Sequence, residues 1–208
     1  MVIASPLVVN RGICYNVGYM KSLRLNKPHL LVVIGLPGAG KSFFAKKFSK
    51  MFGAPHVDHT FYRTYIASSS ASDAIMDDTI EKLMLTRQTI VIEGPGHERH
   101  SRKELGQLAH KKGYQILYIW VQVDPVTASG RAVNRTKSGI SKQEFDNRLK
   151  KFHPPETNEP YLVISGKHTY QTQARTVLKK IVTERPLASQ APLEDEERKA
   201  FLRSRLMG

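Results

Sequence analysis

The sequence has a single cysteine in 208 residues, Cys14. That excludes an internal disulfide, a cysteine-based zinc cluster and a thiol-pair redox centre, and it suits a reducing compartment, so a cytoplasmic location is expected. Long apolar runs are missing too. The longest falls well short of the roughly 20 residues that a membrane span needs, and no membrane partner is expected. The opening stretch VIASPLVV is apolar but has no basic start, contains Pro6 and leads to no convincing cleavage site, so no secretory signal is expected. Acidic residues are scarce: 18 against 32 Lys and Arg, for a formal charge of +14. Such a surplus favours anionic partners such as nucleotides, phosphates or nucleic acid. The basic residues are scattered in short clusters, including Lys46–Lys47, Arg99 to Lys103 and Lys150–Lys151, and none forms a dedicated nucleic-acid arm. Internal repeats are absent, and the length and 40% hydrophobic content suit one core.

What is present is concentrated in LVVIGLPGAGKSFF, residues 31 to 44. Gly35-x-x-x-x-Gly40-Lys41-Ser42 is a Walker A pattern, and each residue has a physical task. Glycines let backbone N–H groups approach phosphate oxygens and adopt φ > 0, and a helix starting at Gly40 adds its positive end. Lys41 reaches the β- and γ-phosphates of ATP, and the Ser42 hydroxyl is the right length to ligate a bridging Mg²⁺. Gly35, Pro37, Gly38, Ala39, Gly40, Lys41, Ser42 and Phe43 are therefore the expected nucleotide contacts. The frame agrees: HLLVVI at 29–34 reads as a buried strand, and Phe44, Phe48, Met51 and Phe52 recur at helical spacing until Gly53.

Further elements follow in alternation. An extended PHVD at 55–58 precedes a helix opened by Ser72. TIVIEG at 89–94 is a strand ending in Glu93, and Ser101 with Glu104 predicts a capping box for a helix closed by Gly113. QILYIWVQV at 115–123 is the strongest strand. Asp124–Pro125 predicts a helix to about Arg135, TKSGIS at 136–141 breaks it, and a second capping box, Ser141 with Glu144, starts a helix stopped by Pro154–Pro155. YLVIS at 161–165 and a last helix complete the pattern. The expected fold is α/β, a parallel five-stranded sheet with helices on both faces, with ligands beyond the C-terminal strand ends. Gly35, Asp58, Glu93, Asp124 and Ser165 all stand near such ends.

GLPGAGKS, VDHTFYR at 57–63, PVTASGRAVNR at 125–135 with the helix after its break, and FHPP…YLVISG together resemble P-loop kinases. Within that class they resemble phage-type polynucleotide 5′-hydroxyl kinases and zeta-toxin-like kinases. The resemblance implies a kinase domain at 28–183 with a short helical lid at about 125–152. It implies Asp58 as general base on the acceptor hydroxyl, against a plain helix-capping role, and Arg131 and Arg135 as lid arginines that meet the transferring phosphoryl group. Glu93 is implied to hold a Mg²⁺-bound water. Where those kinases show Asp-x-Thr-Asn, this chain has Glu93-Gly-Pro-Gly-His97, so His97 and His100 become candidates for the acceptor side. Arg63 lies five residues past Asp58 rather than the usual three.

The expected activity is transfer of the ATP γ-phosphate to a hydroxyl on a nucleic-acid 5′ end or a nucleotide, with ATP and Mg²⁺ as cofactors. The alternatives are a small-molecule P-loop kinase, or an ATP-binding or ATPase module without kinase activity. Neither IVIEG nor WVQVDP carries the adjacent Asp-Glu of a motor ATPase. Residues 1–27 read as an extension in which Met20 is an alternative start, and 184–208 as a helical tail.

Overall fold

The computed structural model describes residues 25, 27–94, 96–135 and 139–183; the alternative start at Met20 and the expected helical tail lie outside them. Five strands, β1 (His29–Ile34), β2 (His56–Asp58), β3 (Ile90–Glu93), β4 (Gln115–Gln122) and β5 (Tyr161–Ser165), form one sheet in the order β2-β3-β1-β4-β5. Every pairing is parallel, so the connections cross over through helices. These are α1 (Lys41–Phe52), α2 (His59–Tyr65), α3 (Ser69–Leu85), α4 (Arg99–Lys111), α5 (Pro125–Val133), α6 (Lys142–Lys151) and α7 (Tyr170–Thr183).

Strand alternation divides the interior into two layers. Leu31 and Val33 of β1 join Val91, Leu117 and Ile119 on one face, against Phe44 and Phe48 of α1, Phe145 of α6 and Val177 of α7. Leu30, Val32 and Ile34 point the other way with Ile90 and Ile92, against Met76, Ile80 and Met84 of α3 and Leu105 and Ala109 of α4. A strand covered on both faces reads as an unbroken apolar run, which is why β1 is HLLVVI rather than alternating.

Some boundaries depart from the sequence reading. Ser68, not Ser72, caps α3, its hydroxyl accepting from the Ala71 N–H at 3.3 Å, while Ser72 is buried inside the helix. The capping box of α4 is absent: the helix starts two residues before Ser101 with Glu98 at the cap, and Glu104 pairs with His100 instead. α5 ends at Val133, so Arg135 lies beyond the helix, and the spacing of four does not place it on one helical face with Arg131. The Ser141 cap is present, accepting from the Glu144 N–H at 3.1 Å. The short α2 was not legible as a helix. Asp58 creates it, its Oδ1 accepting from the Thr60 N–H at 2.9 Å.

Candidate active site

The β1–α1 loop is held by its neighbours as much as by its own glycines. Gly38 has φ of 81°, and a Cβ there would stand 2.1 Å from the Ala128 carbonyl oxygen of α5. No other residue fits, so the glycine sets how closely α5 lies on the loop. Lys41 folds back, its Nζ donating to the Leu36 carbonyl at 3.0 Å. Burial pushes the Lys41 ammonium down to about 8; Glu93 and Asp58 oppose the shift, and Arg148 and Arg135 add to it. Positive charge from both arginines thus reaches the buried loop lysine.

The carboxylates come from neighbouring strand ends. β2 and β3 pair with Asp58 opposite Glu93, both on the α1 side of the sheet. The Ser42 hydroxyl donates to Glu93 Oε1. Burial alone would raise the Glu93 carboxyl, but His56, Ser42 and Lys41 together hold it below its usual value. Glu93 is 3% exposed and its Oε2 has no hydrogen-bond partner. Asp58 Oδ1 is spent on the α2 cap, whereas Oδ2 faces Lys46 Nζ at 3.9 Å. Lys46 is one helical turn from Ser42, so α1 serves both carboxylates with one face.

These groups border a cleft of about 1060 Å³ roofed by α2, α3, α4 and α6. The expected loop residues Gly35, Pro37, Gly38, Gly40, Lys41 and Ser42 line it, as do Glu93, His97 and Arg135. Others fall elsewhere. Ala39 is fully buried, Phe43 is 53% exposed beneath Lys47, and Asp58 does not line the cleft although its neighbours His59 and Thr60 do. Arg131 is outside the cleft lining, its Nη1 donating to the Gly166 carbonyl at 3.2 Å. Arg148, which sequence reasoning missed, lines the cleft from α6 while pairing with Glu144 at 2.5 Å. No spacing rule singles out Arg148; only the fold brings it opposite Lys41. Lys46 had a signal, the helical repeat from Ser42, and His56 another, the strand alternation from Asp58.

The far side of the cleft mixes charge signs. His59 Nε2 lies 2.7 Å from Asp73 Oδ1, and Arg63 Nη2 lies 3.3 Å from Oδ2, so Arg63 is committed to an ion pair. The His59 hydrogen bond is the main cause that holds the Asp73 carboxyl below its usual value. Burial and the carboxylates of Asp73, Glu104 and Glu81 push Asp77 upward. His97 is pushed down to about 4 by burial and by the charges of Lys41, His59, Arg148 and Arg63, so it is a neutral imidazole at physiological pH.

The basic run 99–103 is not a phosphate-tracking surface. Arg102 is 1% exposed and spends all five N–H groups internally. It donates to both Glu159 carboxylate oxygens, at 2.6 and 3.0 Å, and to the carbonyls of Gly96, His153 and Pro154. Arg99 pairs with Glu156 at 2.9 Å, and His100 pairs with Glu104 at 3.2 Å.

Comparison with known proteins agrees with this geometry. The AAA domain family model matches residues 30–155, more than half of the chain. The chain belongs to that family. This AAA domain protein is 25% identical, over 73% of its own length and 77% of the relative's, to a shikimate kinase of Bartonella henselae. Its fold is similar to that of a gluconokinase from Sinorhizobium meliloti 1021, with TM-score 0.58 and 16% identity, covering 75% of this chain and 93% of that one. It is also similar to that of a sugar kinase from Janibacter sp. HTCC2649, with TM-score 0.56 and 14% identity, covering 74% and 93%. The α/β fold expected from the sequence is thus the P-loop kinase fold. These relatives bear the names of small-molecule kinases, which favours that alternative over the polynucleotide-kinase-like and zeta-toxin-like subtype.

Among the described residues no helix is long and apolar enough to cross a membrane.

Proposed function

We propose that this protein is a P-loop kinase that transfers the γ-phosphoryl group of ATP to a hydroxyl of a small molecule. The observation that carries the reading is the shared cleft, in which the Walker A loop, Glu93, His97 and Arg148 border one space of about 1060 Å³. That is the upper range for small-molecule sites and accommodates a nucleotide beside a second, modest substrate. The nucleic-acid 5′-hydroxyl acceptor is replaced for two physical reasons. Arg102, at the centre of the run 99–103, is buried in an ion pair with Glu159 while Arg99 pairs with Glu156, and the acceptor side carries Asp73, Asp77, Glu81 and Glu104, which a polyanionic strand would have to pass.

In this reading backbone N–H groups from Gly35 to Ser42 bind the phosphates and Lys41 lies against them. Transfer breaks the bond from the γ-phosphorus to the β,γ-bridging oxygen, whose electron pair leaves with ADP, and forms a bond to the acceptor oxygen. Asp58, which adjoins the lining residue His59, takes the acceptor proton in this reading through Oδ2, the oxygen its cap role leaves facing Lys46. Arg135 and Arg148, from the segment expected to act as a lid, face the charge that spreads over the transferring group. Helices α5 and α6 close over the nucleotide and exclude water that would hydrolyse it. Among the described residues no group of three or more His, Cys, Asp or Glu forms a metal cage. Ser42 with the buried, half-satisfied Glu93 nonetheless fits a Mg²⁺ that is completed by phosphate oxygens, directly or through water. When bound, that ion neutralises and orients the β- and γ-phosphates.

The test supplies labelled ATP·Mg²⁺ with polyol acids such as shikimate and gluconate, neutral sugars, nucleosides and a 5′-hydroxyl oligonucleotide, at low and raised salt. Label on a small alcohol with little salt dependence is expected. Label only on the oligonucleotide, lost steeply with salt, would restore the nucleic-acid acceptor. ADP release equal with and without every acceptor would favour a plain ATPase.

A further inference from the structure

β2 has only three residues, so its alternation places His56 and Asp58 on one face and Val57 on the other. Register decides which face. Val57 stands opposite Ile92 within the α3–α4 layer, while His56 stands opposite Val91 and Asp58 opposite Glu93 on the α1 side. His56 is therefore a diagonal same-face neighbour of Glu93. Its Nε2 lies 3.6 Å from Glu93 Oε2, and the two side chains are 17% and 4% exposed. Neither atom has a hydrogen-bond partner. Two buried polar atoms left unsatisfied while facing each other form a pair rather than a coincidence, since each is costly alone and a small approach satisfies both. Glu93 Oε1 is already occupied by the Ser42 hydroxyl. The carboxylate is thus bonded at Oε1 by the P-loop serine in front, with the β2 histidine 3.6 Å from Oε2 behind it.

We propose that His56 is a positioning residue for the metal-holding carboxylate: its Nε2–H donates to Glu93 Oε2 and keeps Oε1 turned toward Ser42. This rests on the reading of Ser42 and Glu93 as the groups that serve Mg²⁺. The role needs a donor at the Nε2 position and nothing else from the imidazole. A glutamine places its amide nitrogen near that position, whereas an asparagine reaches only as far as Nδ1. His56→Gln should therefore preserve the function, and His56→Asn and His56→Leu should lose it.

The experiment measures ATP binding to the full chain by calorimetry, without divalent ion and then across a Mg²⁺ titration, with Mn²⁺ as a second probe. Wild type should bind ATP more tightly as Mg²⁺ is added. His56→Gln should keep the wild-type Mg²⁺ midpoint within about twofold, while His56→Asn and His56→Leu should raise it about tenfold, the usual effect of losing an outer-shell partner. Metal-free ATP affinity should stay level in all three. If His56→Leu does not fold, His56→Asn decides. Unchanged Mg²⁺ midpoints in the variants that lack the donor, with only a lower melting temperature, would overturn the proposal, and so would His56→Gln failing alongside them. Wild-type binding that ignores Mg²⁺ would refute the metal assignment itself, a result visible before any variant is made.

Discussion

Arg102 and Glu159 form a two-pronged ion pair, Nε to Oε1 at 2.6 Å and Nη2 to Oε2 at 3.0 Å, with the arginine buried beneath the loop that joins β3 to α4. The same guanidinium holds the Gly96 carbonyl on that loop and the His153 carbonyl just past α6. One residue therefore fixes the spacing between the β3–α4 loop and the C-terminal end of the helix that carries Arg148. Removing it by Arg102→Met leaves a partly buried carboxylate and three carbonyls unpaired, and should cost about 3–5 kcal/mol in urea unfolding. Burial raises the Glu159 carboxyl, but the Arg102 hydrogen bonds and the Glu156 N–H outweigh it and hold it below 4.5. Its contribution is thus fully present above its unfolded value and lost as pH falls through the lower folded one. The stability gap between wild type and Glu159→Gln should accordingly be constant from neutral pH down to about 5 and shrink below that. A gap that widens toward acid would contradict the assignment.

Asp58 can hold both roles that sequence alone left as rivals, because Oδ1 caps α2 and Oδ2 stays outside the cap, where the proposed chemistry would use it. Asparagine caps a helix about as well as aspartate but cannot act as a base at neutral pH. Asp58→Asn should therefore leave the melting temperature within a degree or two and ATP affinity nearly unchanged, while turnover falls about 10²–10⁴-fold. Full turnover in that variant would leave Asp58 as a cap only.

Gly38 tests the packing of the phosphate loop. An added Cβ would press on the backbone of Ala128, which has no rotamer to yield. Gly38→Ala should cost about 1–3 kcal/mol through overpacking and should weaken ATP binding, because the loop must move away from α5. Gly40 is the control: its added Cβ meets nothing within 4 Å, so Gly40→Ala carries only the strain of φ at 104°. The two variants should separate in melting temperature, Gly38→Ala being the lower.

The sheet was legible because its signals are local. HLLVVI and YLVIS are apolar runs bounded by turn residues, and β1 and β5 occupy those residues. The P-loop was legible for the same reason, its donors being contiguous. Features made by residues far apart in sequence were hidden. Arg102 reads as part of a basic surface run, and only the arrival of Glu159, 57 positions later, reveals a buried node. The helix from Pro125 looked long enough to carry both Arg131 and Arg135, yet α5 stops at Val133 with its C-cap at Asn134.

Arg131, expected as a lid arginine, and Arg148, which was not, stand differently toward the cleft. Arg131 binds the Gly166 carbonyl, and Gly166 packs on the P-loop, where an added Cβ would meet the Ala39 carbonyl oxygen at 2.1 Å. Its reach to the phosphates is thus through the loop it ties down. Arg148 instead lines the cleft and bears on the charges of both Lys41 and His97. A charge aimed at phosphoryl oxygens acts most strongly when negative charge redistributes in transfer, so its loss should appear in kcat more than in binding. Arg148→Ala is expected to lower kcat about 10²–10³-fold with ATP affinity changed only about threefold. Arg131→Ala should instead lower stability by about 1 kcal/mol, the worth of one hydrogen bond, and weaken ATP binding and kcat/KM together. Steady-state kinetics with direct nucleotide titration separates the two. A kcat loss confined to Arg131→Ala, with Arg148→Ala behaving as wild type, would return the phosphoryl-facing role to the helix-borne arginine and leave Arg148 as the partner of Glu144.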